Sequence, residues 1–271
     1  MKYSGEFKTI DNQTKAYFLG FMYGDGTITN YKEKSGRERF LTKISINETD
    51  KDLIDKLHSA FPFMNKNIFD YSKYNPNSNI QHSLAKSSKE LFNDLLLNGV
   101  YPRKSYENKD KLRLPEIEDK LIPHFIRGLF DADGSVYTRT KRKNLITIEF
   151  ACASYEFIND INIYLKSINI HSWRIIDKKP TGKGRQIYYI LQFNKTSEIL
   201  KLINFMYIDA TIYLDRKYKK CITYRPVDKV GDRDINCMRC ESNRVLRNGV
   251  RGNSIRYKCS DCGKGFSIKI N

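Results

Sequence analysis

The chain has 271 residues, of which 40% are hydrophobic and 13% aromatic, a composition that excludes wholesale disorder and provides for a packed core. Its 48 Lys and Arg outnumber its 31 Asp and Glu, giving a formal net charge of +17 that favours a polyanionic partner, most commonly nucleic acid. No apolar stretch approaches the ~20 residues of a membrane helix, and no secretory signal begins the chain. We therefore expect no membrane association and a cytoplasmic location.

The sequence contains an internal repeat, which predicts a duplicated domain. Residues 17–28 read YFLGFMYGDGTI and residues 125–136 read FIRGLFDADGSV, so that Asp25 recurs as Asp133, 108 positions later. Hydrophobic periodicity after each motif predicts the same order of elements. The predicted strands and helices are 27–32, 40–47, 50–60, 67–74, 80–85 and 88–98 in the first copy, and 135–141, 144–152, 155–167, 172–179, 186–193 and 196–207 in the second.

This layout predicts an α+β fold of two pseudo-symmetric αββαββα halves followed by a small C-terminal module. We place the first half at residues 1–110 and the second at 111–222. A charged segment without periodicity, residues 223–236, is predicted to be a linker. Residues 237–271 then form the cysteine-bearing module.

Each motif predicts an apolar helix that ends at an acid. Helix 16–23 runs into Gly24, Asp25 and Gly26, and glycine is the favoured residue for leaving a helix. Gly20 and Gly24 lie four residues apart on one helix face, as do Gly128 and Ala132 in the second copy. Because small residues let two helix backbones approach closely, we expect Asp25 and Asp133 to emerge side by side.

Two neighbouring acids at helix C-termini repel each other and the negative end of each helix dipole. A hard divalent cation with oxygen ligands offsets this cost, and magnesium is typically held by one or two carboxylates, water and phosphate oxygens. Asp25 and Asp133 beside a basic surface are therefore the groups expected at a site of metal-assisted phosphodiester hydrolysis.

Both motif segments resemble the LAGLIDADG motif of homing endonucleases, and the resemblance extends over residues 14–221 through the duplicated layout. It implies a monomer whose motif helices form the interface between halves, and whose two sheets form a DNA-binding saddle along the major groove. It also implies that Asp25 and Asp133 hold the catalytic Mg2+, with the backbone of Gly24 and Ala132 nearby. The activity implied is cleavage of a long, non-palindromic double-stranded DNA target with 3′ overhangs.

One position departs from the family pattern, and other site residues follow from the resemblance. The first acidic position of the motif is Asp131 in the second copy but Tyr23 in the first, which indicates asymmetry between the halves. The family places a basic residue of each half near the scissile phosphates. Lys104 and Lys217 are the candidates. Asn47 and Gln192 are further candidates for holding water near the acids.

Long polar side chains on the predicted strand pairs are candidates for DNA contact. Two-stranded ribbons fit the major groove, where Arg pairs with guanine and Gln with adenine, although most basic residues contact phosphates. A solvated strand edge protected by lysines is the competing explanation for any single member. The candidates are Lys32, Arg37, Arg39, Lys43, Arg139, Lys141, Arg142, Lys178, Arg185 and Gln186.

The C-terminal module carries two C-x2-C pairs, Cys237 with Cys240 and Cys259 with Cys262, separated by 18 residues. Four thiolates at this spacing are typical of a structural Zn2+ site, and the second pair resembles the zinc ribbons at the DNA-binding ends of some transposases. So short a segment buries little core, so zinc is expected to supply most of its folding energy. The candidates for an accessory DNA contact are Arg247, Arg251 and Arg256.

Two classes of function remain open at this point. The first is a DNA endonuclease. The second is a nucleic-acid-binding protein that uses the LAGLIDADG scaffold without cutting, either an RNA maturase or a transcription regulator. Retention of both Asp25 and Asp133 favours cutting, because a pure binder has no need for acids beside phosphates.

Overall fold

A computed structural model describes residues 2–70, 80–139, 142–179, 187–224, 235–242, 245–252 and 254–269. The chain divides into two compact units, Met1–Tyr224 and Arg225–Asn271. Three candidate DNA-contacting residues, Lys141, Arg185 and Gln186, lie outside the described residues, as do the side chains of Arg142 and Arg247.

The first half of the larger unit has the predicted order of elements. Helix α1 is followed by a strand pair, a helix, a second strand pair and a third helix. The bounds are α1 Gln13–Tyr23, β1 Thr27–Lys32, β2 Glu38–Asn47, α2 Lys51–Ala60, β3 Asn65–Asp70, β4 Ile80–Ser87 and α3 Lys89–Leu97. Strand β3 begins two residues earlier than the sequence predicts, because Asn65 already pairs with Ala85 across the sheet.

The second half repeats this order and adds one helix. The bounds are α4 Ile122–Asp133, β5 Ser135–Arg139, β6 Arg142–Cys152, α5 Tyr155–Ser167, β7 Arg174–Lys178, β8 Tyr188–Phe193, α6 Thr196–Tyr207 and α7 Asp215–Ile222. Helix α7 was not predicted from the sequence. It is a short helix dominated by charged residues, so its apolar signal is weak. The predicted α+β architecture of two repeated halves is confirmed.

Each half builds one four-stranded antiparallel sheet, in the order β1-β2-β4-β3 and β5-β6-β8-β7. Alternation along the strands turns one face of each sheet toward the helices. Ile44, Leu84, Ile148 and Leu191 are fully buried on these inner faces. The alternate residues lie on the opposite face, which we call the open face of each sheet.

Helices α1 and α4 pack against each other at the centre of the larger unit. A Cβ added at Gly20 would overlap the carbonyl oxygen of Phe125, and one added at Gly128 would overlap that of Tyr17. Only glycine therefore allows this backbone approach. Helix α1 is buried continuously from Ala16 to Tyr23, which matches its nearly all-apolar sequence.

The smaller unit contains a three-stranded antiparallel sheet in the order β11-β10-β9. Its strands are β9 Val245–Arg251, β10 Ser254–Cys259 and β11 Gly265–Lys269. Its small core comprises Cys237, Val245, Tyr257 and Cys259. Among the described residues of the chain, no helix is long and apolar enough to cross a membrane.

Candidate functional site

The ends of the two motif helices abut. A Cβ built at Gly24 would overlap the Cβ of Ala132 and would lie 3.2 Å from Oδ2 of Asp133. Asp133 is the last residue of α4, and Asp25 follows Gly24, which caps α1 by donating its backbone N–H to Gly20. The structure thus brings Asp25 and Asp133 together at one end of the helix pair, as the sequence predicts.

Protein surrounds the two carboxyl groups although both remain accessible to solvent at the surface. Burial raises the pKa of Asp133 to about 6, and repulsion by Asp25 adds to the shift. Burial also raises the pKa of Asp25, while the positive charges of Lys217, Lys104 and Arg216 oppose that rise. Two acids in this state favour binding of a cation, because it offsets both desolvation and mutual repulsion.

Lys104 and Lys217 occupy matching places in the two halves. Lys104 donates to the backbone oxygen of Gly26, and Lys217 donates to that of Gly134 at 2.7 Å. Each lysine therefore contacts the glycine that follows the acid of its own half. The charges of both lysines also act on Asp25 and Asp133.

Lys217 is also a helix cap. Its Nζ donates to the carbonyl oxygens of Phe130 at 2.7 Å and Asp131 at 2.8 Å, which are among the last carbonyls of α4. The side chain is buried, and burial lowers the pKa of Lys217 to about 8. Its ammonium group is thus engaged by backbone carbonyl oxygens.

The asymmetric motif position forms two different contacts across the helix interface. Asp131 is buried and accepts from the hydroxyl of Tyr17 at 2.8 Å and from the backbone N–H of Leu214 at 2.7 Å. In the other half, Tyr23 packs edge-on against Phe125, with ring centroids 5.0 Å apart. A Tyr–Asp hydrogen bond on one side is therefore replaced by a Phe–Tyr ring contact on the other.

A cleft of about 250 Å³ opens beside Asp25. Its polar lining includes Asn47, Gln81 and Arg216 together with Asp25 and Asp50. Asn47 thus lies in the same cleft as the acid near which it was predicted to hold water. Arg216 donates through Nε to both carboxylate oxygens of Asp50 at 2.9 Å.

The open face of the second sheet carries a hydrogen-bonded network. Gln192 donates to Glu149 at 2.5 Å, and Tyr137 donates to the same carboxylate oxygen at 2.7 Å. Asn194 donates to Gln192 at 2.8 Å and also binds Arg139. Gln192 is therefore a member of this network, and Arg139 is held in place at its edge.

The remaining candidate DNA-contacting residues of the larger unit are spread over both halves. Lys43 lies on the open face of the first sheet, opposite Thr27. Arg39 pairs with Glu33 at 2.7 Å near the β1–β2 turn, and Lys32 and Arg37 are exposed there. Lys178 is exposed at the end of β7, beside Tyr188.

The four predicted zinc ligands form one cluster in the smaller unit. Their ligand atoms all lie within 4.8 Å of one another, with 3.5 Å between the sulfurs of Cys237 and Cys262 and 3.6 Å between those of Cys240 and Cys259. A tetrahedral zinc with bonds near 2.3 Å requires separations of about 3.8 Å. The cluster therefore fits a zinc ion. Arg251 and Arg256 are exposed on its sheet.

Sequence reasoning missed Asp50, Gln81 and the role of Arg216. Asp50 and Arg216 are 166 positions apart, and no local pattern predicts that they meet. It also missed Tyr137 and Glu149 of the open-face network. Strand alternation carries that signal, because the exposed Ser135 and Tyr137 flank the buried Val136 in β5.

Comparison with known proteins gives a family match and distant relatives. Residues 121–205 match the model of the LAGLIDADG-like domain. The chain is 28% identical over 186 residues to a probable translation initiation factor IF-2 of Methanocaldococcus jannaschii, a match covering 66% of this chain and 14% of that protein. It is 26% identical over 209 residues to the ribonucleoside-diphosphate reductase NrdEB subunit alpha of Bacillus subtilis, covering 71% and 18%. The chain thus spans less than a fifth of these curated relatives.

Solved structures give the fold. The LAGLIDADG meganuclease I-AabMI bound to uncleaved DNA matches with a TM-score of 0.52 at 14% identity, covering 78% of this chain and 88% of that one. The structure of I-DmoI in complex with DNA and Ca matches with a TM-score of 0.51 at 16% identity, covering 76% and 95%. The resemblance inferred from the two motifs is confirmed, and the cysteine module is an addition to that fold.

Proposed function

We propose that this chain, whose fold is that of the LAGLIDADG meganucleases, is a site-specific endonuclease that cuts both strands of a long, non-palindromic DNA target and leaves 3′ overhangs. The observation that carries the proposal is the juxtaposition of Asp25 and Asp133 at the paired helix ends. A net charge of +17 is consistent with a DNA partner. We expect the protein to act as a monomer, because one chain contains both halves.

The residues at the helix ends fit divalent cations. Two carboxylates provide hard oxygen ligands, the set that Mg2+ prefers, and the backbone of Gly24 and Ala132 lies beside them. When bound, Mg2+ would activate water and stabilise charge on the scissile phosphate. Asp25 and Asp133 would hold the ions, and the solved I-DmoI complex with DNA and Ca supports a divalent-ion requirement.

The two lysines are proposed to assist the reaction by charge. Lys104 and Lys217 each lie against the glycine after the acid, where a positive charge offsets negative charge developing on a phosphate. Their backbone hydrogen bonds also hold Gly26 and Gly134, and thereby the chain that follows each acid. Asn47 faces the cleft of Asp25 and is proposed to hold a water molecule there.

The open faces of the two sheets are the proposed DNA-reading surface. On the second sheet, Arg139 is fixed by neighbouring side chains, so less conformational entropy is lost when it binds. On the first sheet, Lys43 and Arg39 supply the positive charge near β2. The candidates outside the described residues, Lys141, Arg185 and Gln186, stay predictions.

The test is cleavage of a library of double-stranded DNA targets with Mg2+ by wild-type protein and by the variants Asp25→Asn and Asp133→Asn. We expect the wild type to select one target and each variant to lose at least about a hundredfold in rate, because the cation site loses half of its charge. Wild-type cutting that survives both substitutions would contradict the mechanism. Tight binding of DNA or RNA without any cutting would favour a maturase or transcription regulator.

The cysteine module is proposed to bind structural Zn2+ and to extend the DNA contact through Arg247, Arg251 and Arg256. Cys237, Cys240, Cys259 and Cys262 are the proposed ligands. Deletion of residues 223–271 is expected to shorten the DNase footprint and weaken affinity while the larger unit keeps its own contacts. An unchanged footprint and affinity would contradict this role.

A further inference from the structure

Arg216 enters the cleft of Asp25 from the opposite half of the molecule. It lies on α7, at the end of the second half, whereas Asp25, Asn47 and Gln81 belong to the first half. Asp131, Ala132 and Leu214 of the second half complete that side of the cleft. Burial raises the pKa of Asp25, and the positive charge of Arg216 opposes that rise, though less than those of Lys217 and Lys104 do. The cleft therefore combines an acid from one half with a guanidinium group from the other.

The guanidinium group is anchored. Asp50 precedes α2, its side chain is only 10% exposed, and it accepts from Nε of Arg216 at 2.9 Å to each of its oxygens. A second pair joins the same elements, because Lys56 on α2 binds Asp215 at 2.6 Å. The anchoring bond uses Nε, and within the described part of the chain no hydrogen bond engages the two terminal nitrogens of Arg216, which are therefore available to a ligand in the cleft.

A guanidinium group held in this way is suited to bind a phosphate. A planar guanidinium presents paired N–H donors that match two oxygens of a phosphodiester, whereas lysine acts as a point charge. Asp50 neutralises part of the charge and fixes the orientation of the side chain, so the bidentate geometry is prepared before the ligand arrives. Asp25 nearby would repel a phosphate unless a cation is shared between them, which matches the proposed metal site.

The second acid, Asp133, has different surroundings. Lys104 corresponds to Lys217, and Arg103 precedes it just as Arg216 precedes Lys217. Arg103, however, is 72% exposed against 53% for Arg216, and its partner Glu107 is exposed, whereas Asp50 is not. The charges that act on Asp133 are those of Asp25, Lys104 and Lys217.

We propose that Arg216 binds the phosphate of the strand that is cut at Asp25, and that the two DNA strands are therefore hydrolysed with unequal dependence on this one side chain. The inference rests on the proposed endonuclease function and names the residue that makes its two sites unequal. Asp50 acts through Arg216 as a positioning residue.

The first experiment measures each strand separately. A target selected by wild-type protein is labelled on either strand, and single-turnover rates are compared for wild type and Arg216→Gln. We expect a loss of roughly ten- to a hundredfold on one strand and a change of less than about threefold on the other, so that nicked duplex accumulates. Equal losses on both strands would overturn the proposal, because they indicate a general structural role.

Two variants serve as matched controls. Arg103→Gln removes the corresponding arginine of the other half, which is exposed, and should leave the ratio of the two strand rates unchanged. Lys56→Gln removes the neighbouring ion pair between α2 and the start of α7 without altering the cleft. A strand-selective loss in Lys56→Gln as large as that in Arg216→Gln would also overturn the proposal.

The second experiment measures phosphate binding separately from catalysis. Duplexes carry a neutral methylphosphonate at one scissile position, and affinity is measured with Ca2+ in place of Mg2+, so that a cation can still be shared between Asp25 and the phosphate. Wild type should bind about tenfold more weakly when the Asp25-side phosphate is neutral, whereas Arg216→Gln should bind both duplexes equally. Equal sensitivity of wild type and variant would overturn the inference. Absence of wild-type cutting would instead overturn the proposed function.

Discussion

Asp25 and Asp133 destabilise the folded protein when they are ionised. Burial and mutual repulsion raise the pKa of Asp133 to about 6, above its ordinary value of 3.8. Folding therefore favours the protonated acid. This contribution is fully present below about pH 4 and is lost as the pH rises through 6. The ionised form that binds a cation is thus the less stable one when no cation is bound.

The substitution Asp133→Asn is accordingly expected to stabilise the protein in magnesium-free buffer at pH 7.5. The gain should be on the order of 1 kcal/mol, since solvent screens an accessible group, and it should vanish near pH 4. Thermal unfolding at the two pH values measures it. Asp110→Asn, at an exposed acid away from the helix ends, is the control. A loss of stability at pH 7.5 would contradict the electrostatic cost.

The hydrogen bonds that Tyr17 and Tyr23 donate should differ in how much they stabilise the folded protein. Tyr17→Phe removes a hydrogen bond to the buried carboxylate of Asp131, and this should cost about 1.5–3 kcal/mol. Tyr23→Phe removes a bond from the Tyr23 hydroxyl to the backbone oxygen of Asn98, and this should cost about 1 kcal/mol. Urea unfolding at pH 8 compares them. Equal losses would contradict a special role for the Tyr17–Asp131 pair.

At the scale of elements, the packing of α1 on α4 determines where Asp25 and Asp133 lie. Gly20 and Gly128 allow this approach because each faces a carbonyl oxygen of the opposite helix. Glycine lowers helix propensity by about 1 kcal/mol relative to alanine, so these positions sacrifice local stability for close packing. The separation of Asp25 from Asp133 follows directly from that approach.

Gly20→Ala and Gly128→Ala are therefore expected to destabilise the larger unit by at least about 2 kcal/mol, although helix propensity alone predicts the opposite sign. Each should also reduce cleavage of both strands, because the helix ends that carry Asp25 and Asp133 move apart. Unfolding by urea and strand-resolved cleavage measure the two effects. An increase in stability for either variant would exclude the close approach.

Helix α7 contacts both halves of the larger unit. Lys217 caps α4 of its own half, while Arg216 and Asp215 bind Asp50 and Lys56 of the first half. A short helix of mostly charged residues thereby connects the two halves beside the acids. Its sequence gives little local indication of this position.

At the scale of the whole molecule, two compact units have separate sources of stability. The larger unit has a continuous apolar core formed by both halves, whereas the smaller unit buries only a few side chains around its cysteines. So small a core is insufficient without a bound metal. Folding of the smaller unit is therefore expected to depend on zinc.

Chelation of zinc should unfold the smaller unit while leaving the melting transition of the larger unit unchanged. Metal analysis should find about one zinc per chain in the wild type and a strong reduction in Cys240→Ser. Cys152→Ser, at a free cysteine of the larger unit, is the matched control and should retain zinc. Hydrogen exchange resolves the two units. Protection of β10 that persists after chelation would contradict a structural zinc.

Much of this organisation follows from the amino-acid sequence alone. The repeat of Asp25 as Asp133, the glycines four residues apart and the two C-x2-C pairs are visible because they depend on spacing along one chain. Helical and strand periodicities are equally local, and they predict the order of elements in both halves. These features determine the fold class, the pair of acids and the cysteine cluster.

Only the tertiary structure decided which residues from different halves share a site. The contact of Arg216 with Asp50 and the hydrogen bond of Tyr17 to Asp131 join residues of different halves, 166 and 114 positions apart. Such contacts depend on how the halves dock, and docking energy is distributed over many side chains with no local pattern. The acids could be predicted from the sequence, whereas their unequal surroundings required the assembled fold.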